Sequence, residues 1–209
     1  MFRVVIFDFD GTLVQSRDLA IRLFNHFADK YRYRTMKEGD IQHLATLSIK
    51  NRLKLLGCPM YKLPMLLIDM KKKYRQDVIG LDAVSGIQDV LIRIKQQGIA
   101  IGILSSNNAE NIHSFLELND LKLFDFVFTA SNLFGKDKAI SRLMKDKGIS
   151  NLEMLYIGDE IRDVEACKKM NVPCAAVTWG FDAEDLLAKG NPEFLIHHPE
   201  DILEVVRSV

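Results

Sequence analysis

The chain has 209 residues, enough for one large domain or one domain carrying a smaller insertion, and long enough to bury roughly 70% of the surface its unfolded form exposes. Hydrophobic residues make up 48% and charged residues 27%, ordinary values for a globular protein in water. Lysine plus arginine equals aspartate plus glutamate at 28 each, and this neutral balance argues against a broad nucleic-acid-binding or membrane-binding surface. Cys58, Cys167 and Cys174 are odd in number and lack metal-ligand spacing, so they read as reduced, core-filling thiols of a cytoplasmic protein. No apolar run reaches the length of about 18 residues that a membrane span needs. Met1-Phe2-Arg3 leads straight into a strand that ends in acid, without the plan of a signal peptide.

Val4-Val5-Ile6-Phe7 is a continuous apolar run rich in β-branched residues, the pattern of a strand buried on both faces of a parallel sheet. It ends in Asp8-Phe9-Asp10-Gly11-Thr12. Two carboxylates at i and i+2 leave the same side of an extended backbone and resist joint ionisation. A divalent cation relieves that conflict and leaves Asp8 free to attack phosphorus, while Gly11 lets the chain turn away.

Residues 15–80 contain no convincing buried strand. They carry helical stripes instead, Ala20, Leu23, Phe24 and Phe27, then Leu63, Leu66, Leu67, Met70 and Tyr74, so the segment is expected to be all-helical. Lys71-Lys72-Lys73 reads as a solvated helix face, and Gln15 and Ser16 as a hinge into the segment.

After it, Ile87, Val90, Leu91 and Ile94 predict a helix capped by Ser85 and Gly98. The run Ile99–Leu104 predicts the second strand, ending in Ser105-Ser106-Asn107, whose hydroxyls and loop N–H groups suit phosphate oxygens but equally suit the N-cap of a helix over 108–118. Phe126–Phe128 predicts a third strand, and Gly135-Lys136-Asp137-Lys138 leads a further helix with two ammonium groups to offer. Met154–Ile157 predicts a fourth strand, ending in Gly158-Asp159-Glu160-Ile161-Arg162-Asp163 and a helix over 161–170. Asp159 and Asp163, four apart, can face one point, and oxygen ligands of this kind suit Mg2+. Ala175–Val177 predicts the last strand. Trp179 and Phe181 fit either the rim of the active site or packing near a strand end, the commoner role, and His197-His198 reads as a solvent-exposed pair. Alternating strands and helices imply an α/β fold with a doubly wound parallel sheet, and ligands of such sheets sit at the C-terminal strand ends, where all four polar clusters fall.

Asp8-x-Asp10-Gly11-Thr12-Leu13, the Ser105 strand end, the Lys136 region and Gly158-Asp159-x-x-x-Asp163 together resemble, in order and spacing, the haloacid dehalogenase (HAD) superfamily. The resemblance spans the chain. The ending Val177-Thr178-Trp179-Gly180-Phe181, with Phe194-Leu195-Ile196 and Pro199, is similar to the phosphoglycolate phosphatase-like branch. It implies a Rossmann-like HAD core over residues 1–14 and 81–209, and an inserted helical cap over 15–80. By that resemblance Asp8 is the nucleophile, Asp10 the general acid–base, and Ser105 and Ser106 bind the phosphoryl group. Lys136 neutralises charge, with Lys138 as the competitor. Lys136 is preferred because Ala139, Ile140 and Leu143 follow at i+3, i+4 and i+7. Mg2+ is held by Asp8, Asp10 (through its backbone carbonyl), Asp159 and Asp163, the last through water. Many members of the branch have Lys-Pro where this chain has Lys136-Asp137.

The resemblance implies a Mg2+-dependent phosphatase that hydrolyses a small phosphorylated metabolite, phosphoglycolate first among them, through an aspartyl phosphate, working as a monomer or homodimer. A phosphomutase of the same fold shares every motif. A haloalkanoic acid dehalogenase needs neither Asp10 nor Asp159. A phospho-acceptor signalling domain is shorter and has no helical insertion.

Overall fold

The computed structural model describes residues 2–130 and 133–207; Met1, Ser131, Asn132, Ser208 and Val209, which fall within the expected core segments, lie outside the described residues. Six parallel strands form one sheet: β1 (Val4–Phe7), β2 (Ala100–Ser105), β3 (Phe126–Thr129), β4 (Met154–Gly158), β5 (Cys174–Val177) and β6 (Phe194–Ile196), in the order β3-β2-β1-β4-β5-β6. The three-residue β6 adds an edge that the sequence pattern did not announce as a strand. β1 is central, with Val4 in register with Ala100 on one side and Met154 on the other.

Because successive strand residues point to opposite faces, each strand feeds two cores. Val5, Phe7, Ile101, Ile103, Leu155 and Ile157 pack against α6 (Ile87–Gln96), α7 (Ala109–Leu118) and α11 (Asp201–Arg207). Val4, Ile6, Leu104, Met154 and Tyr156 pack against α8 (Lys136–Lys147), α9 (Ile161–Met170) and α10 (Glu184–Lys189). This is a doubly wound sheet whose order reverses at β1, and the crevice beyond the C-terminal ends of β1, β2 and β4 is the switch point where such sheets bind ligands. Parallel neighbours need crossover connections, and each helix returns the chain across one face of the sheet.

Helix limits differ from the sequence reading by small shifts. α6 takes Gly86 (φ +83°) rather than Ser85 as N-cap, because the preceding turn demands a left-handed residue. Its C-cap is Gln97, followed by Gly98 at φ +74°. Asn108 caps α7, its side-chain oxygen accepting from the Asn111 N–H at 3.3 Å, so Ser105, Ser106 and Asn107 are not spent on that task.

Between β1 and α6 lie α1 (Arg17–His26), α2 (Ala28–Tyr31), α3 (Ile41–Ala45), α4 (Ile49–Leu55) and α5 (Leu63–Asp77), with short 3-10 turns and no strand. Phe24, Tyr33, Leu44, Leu53, Leu63 and Leu66 give this segment a hydrophobic cluster of its own. Its entry and exit run side by side: Gln15 N–H donates to Asp82 O at 3.0 Å, and Val14 bridges Ala83. The expected hinge residues Gln15 and Ser16 are thus hydrogen-bonded, Ser16 N–H donating to Val14 O at 2.8 Å. All three cysteines are buried and free. Among the described residues, no helix is long and apolar enough to cross a membrane.

Candidate active site

β1 delivers Asp8 to the switch point, where its N–H still donates to Ile157 O of β4 at 2.8 Å. The chain then turns sharply. Gly11 sits at φ +78°, and a Cβ there would run into the carboxylate of Asp159, so both the turn and the close approach require glycine. Thr12 hydroxyl donates to Asp159 Oδ1 at 2.9 Å, and Trp179 Nε1 donates to Thr12 O at 3.2 Å, which ties the first loop to the ends of β4 and β5.

Asp8 is 3% exposed and engages both oxygens. Oδ1 accepts from Phe9 N–H at 2.7 Å, and Oδ2 accepts from Lys136 Nζ at 2.5 Å. Lys136 stands at the first position of α8, held inward by buried Ala139, Ile140 and Leu143, and its ammonium also donates to Asp163 Oδ1. Burial works against its charge, but Asp163 and Asp8 more than offset that and hold its pKa above an ordinary lysine. Lys138 is exposed on the outer face of the helix.

Asp163 lies on the first turn of α9, pushed up to about 6 by burial, with Lys136 pulling the other way and Asp8 adding to the rise. Its Oδ2 accepts from Glu160 N–H at 3.2 Å, part of a reciprocal cap on α9. Asp159 is fully buried, and Oδ2 accepts from Phe181 N–H at 2.7 Å. Burial, then the charges of Glu160, Asp8 and Asp163, drive its pKa well above the usual carboxylate range.

Asp10 points toward the helical segment. Tyr74 hydroxyl donates to Oδ1 at 2.8 Å and Asn107 Nδ2 to Oδ2 at 2.9 Å. Burial raises its pKa against the pull of those hydrogen bonds and of Ser16. At the end of β2, buried Ser105 accepts from Asn107 N–H at 3.0 Å, while half-buried Ser106 faces the cavity beside Asp10.

Three carboxylates, Asp8, Glu160 and Asp163, each offer an oxygen within 4.8 Å of the others. Glu160 is the member that sequence reasoning left unassigned; its neighbour Asp159, bonded to Thr12 and Phe181, stands outside this group of three. Arg162 donates to Glu160 from Nε at 2.5 Å and to Leu133 O at 2.8 Å. Five acids, Asp8, Asp10, Asp159, Glu160 and Asp163, thus share this crevice with buried Lys136 and half-buried Arg162. An excess of buried carboxylates with spare lone pairs fits a hard divalent cation, which would reverse the electrostatic cost of keeping them ionised.

Two further contacts arise from the helical segment. Tyr74 belonged to an apolar stripe, yet its hydroxyl reaches Asp10. Lys71, expected on a solvated face, is half-buried against the cavity that opens from Asp10, and burial lowers its pKa while Asp10 raises it. Trp179 packs against the core, Phe181 lies under the Arg52 guanidinium at 4.6 Å from its ring centre, and His197 and His198 are exposed.

A family model described as haloacid dehalogenase-like hydrolase matches residues 5–177. A phosphoglycolate phosphatase of Synechococcus elongatus is 32% identical over 205 residues, covering 98% of this chain and 97% of its own. Pyrophosphatase PpaX of Bacillus pumilus is 23% identical over 97% of this chain and 95% of its own. Among solved structures, a haloacid dehalogenase-like family hydrolase from Streptococcus pneumoniae superposes with a TM-score of 0.81 at 16% identity, covering 99% of both chains. A predicted phosphatase from Clostridium acetobutylicum superposes with a TM-score of 0.84 at 18% identity over the full length of both.

Proposed function

The chain belongs to the haloacid dehalogenase-like hydrolases, and from that premise we propose that it is a Mg2+-dependent phosphatase cleaving a small phosphomonoester through an aspartyl phosphate on Asp8. The observation that carries this reading is the buried constellation Asp8–Lys136–Asp163 at the switch point, with Asp10 one residue pair further on. In this proposal residues 1–14 and 81–209 form the catalytic core and 15–80 a cap.

Asp8, Asp159 and Asp163, with the Asp10 carbonyl and Glu160 beside them, would hold Mg2+, and the bound ion would supply positive charge to the phosphate oxygens. Lys136 adds a second positive charge, and Ser105 and Ser106 donate hydroxyls from the end of β2. Asp8 attacks phosphorus as the ester oxygen departs with the proton of Asp10. The upward shift of Asp10 suits a group that must first be protonated and later accept a proton. Water then gives its proton to Asp10 and cleaves the acyl phosphate, releasing inorganic phosphate and restoring Asp8. The names of the relatives put phosphoglycolate and pyrophosphate among the first compounds to assay.

The test is phosphate release from p-nitrophenyl phosphate and a panel of small esters. EDTA is expected to silence it, Mg2+ to restore it and Ca2+ to substitute poorly. Asp8→Asn, nearly isosteric but without a nucleophile, is expected to lose at least about three decades of turnover. Full activity in metal-free buffer, or substantial turnover by the variant, contradicts the reading.

A further inference from the structure

The space beyond Asp10 has a character that the phosphoryl site does not explain. A cavity of about 210 Å³ runs from Asp10 into the helical segment. Its polar groups cluster at the sheet end, with Asp10, Ser106, Asn107, Asp159, Glu160 and Arg162. Its far wall is apolar: Leu23 and Phe24 from α1, Leu53 from α4, and Leu66, Leu67 and Met70 from α5.

The polar side chains that the helical segment does contribute are mostly engaged already. Arg52 is occupied by Leu44 O at 3.0 Å, Leu47 O at 2.9 Å and Asp182 at 2.5 Å. The Tyr74 hydroxyl donates its hydrogen bond to Asp10. Lys71 borders the cavity at the Asp10 end, where the ester oxygen would lie.

We propose that this cavity receives an apolar leaving group, so that the substrate class is alkyl or aryl phosphomonoesters with up to about six carbons, the phosphoryl group itself taking the Asp10 end of the space. The size follows from a comparison: a dry apolar cavity of roughly 150 Å³ accommodates a benzene ring. A glycolate fills little of such a space and brings its carboxylate against carbon. Water in it finds few of the two to four polar partners that an ordered water needs, so an apolar group gains by displacing it. The inference rests on the phosphomonoesterase reading and adds to it the nature of the alcohol.

The experiment is kcat/KM with Mg2+ for n-alkyl phosphates from ethyl to octyl, together with phenyl phosphate, phosphoglycolate and p-nitrophenyl phosphate. The expected result is a rise of about three- to fourfold per added methylene until the cavity is full, then a plateau. Leu67→Trp, which narrows the half-buried part of the wall, is expected to flatten that rise, reducing the octyl-to-ethyl ratio at least about tenfold. A flat or falling series, or phosphoglycolate as the best substrate, overturns the apolar leaving group while leaving the phosphatase reading intact. Release of phosphate from none of the compounds overturns both.

Discussion

Asp10 is held by one group from each side of the crevice, Asn107 from the end of β2 and Tyr74 from α5. The Tyr74 hydroxyl fixes the carboxyl orientation that proton transfer to a leaving oxygen requires. Tyr74→Phe keeps the buried ring and removes only that bond, so the fold should persist. The loss in kcat is expected to be about tenfold for an alkyl phosphate, the size of one hydrogen bond to a carboxylate. For p-nitrophenyl phosphate, whose leaving group needs little protonation, it should be much smaller. Equal losses on both substrates would mean that Tyr74 acts only through packing. The sequence carried Asp8, Asp10, Asp159 and Asp163, because acids ending apolar strands stand out against their surroundings. It also favoured Lys136 over Lys138, because the apolar positions of α8 set which side of the helix faces inward, and Lys136 is the buried one of the two. Tyr74, Glu160 and Asn107 left no comparable mark. Tyr74 lies 64 positions from Asp10, at a place in an apolar stripe where an aromatic ring is ordinary core.

The strands were legible for a physical reason: a strand buried on both faces has to be continuously apolar, as Val4–Phe7 and Met154–Gly158 are. β6 was not, since three residues at an edge, two of them only half-buried, offer too short a pattern. How the strands are joined to their turns also shapes stability. Before β4, Ser150 and Glu153 form a reciprocal cap, with Ser150 N–H and hydroxyl both donating to Glu153 Oε2 at 2.9 and 2.7 Å. Arg3, just before β1, donates to Oε1 at 2.8 Å. These bonds, the Arg3 bond first, hold the Glu153 carboxyl down at about 2, below an ordinary glutamate. A carboxyl depressed in the folded state stabilises fully above its unfolded pKa and loses that contribution as pH falls through the folded value. Glu153→Gln should therefore be less stable than the parent at pH 7, and the gap should shrink as pH falls from about 4.5 toward 2. Urea melts at pH 7 and pH 3 check this; an undiminished gap at pH 3 would show that the carboxylate charge contributes nothing.

At the scale of the whole molecule, the question is what fastens the helical segment to the sheet. Tyr74 is one crossing, and Ala183 N–H donating to Ala45 O at 2.9 Å is another. The most enclosed is the buried pair Arg52–Asp182, at 2.5 Å, with both side chains almost fully buried. Asp182 also accepts from Ile161 N–H at 2.7 Å, so the same carboxylate steadies the start of α9 and the acids around it. No pattern in the sequence joins Arg52 to a residue 130 positions away, and so this fastening became visible only in three dimensions. Burial pushes the Asp182 carboxyl up to about 6, Glu160 adds to the rise, and Arg52 recovers only part of it. A buried ion pair has to offset a large desolvation cost, so this one is better understood as a device for register than as a source of net stability. Two opposite outcomes follow. Asp182→Ala strands a buried guanidinium and removes an acceptor from α9, with an expected loss of about 3–5 kcal/mol. Arg52→Met combined with Asp182→Leu removes both charges together and should recover the part of that loss due to the stranded charge, though not the Ile161 hydrogen bond. If the pair fixes the seating of the helical segment, the double variant should fold well but lose discrimination among the alkyl phosphates, since the wall of the cavity would no longer be held over Asp10. Chemical melts and the ester panel on the same two variants decide this, and a double variant as unstable as Asp182→Ala would show that the ion pair contributes net stability after all.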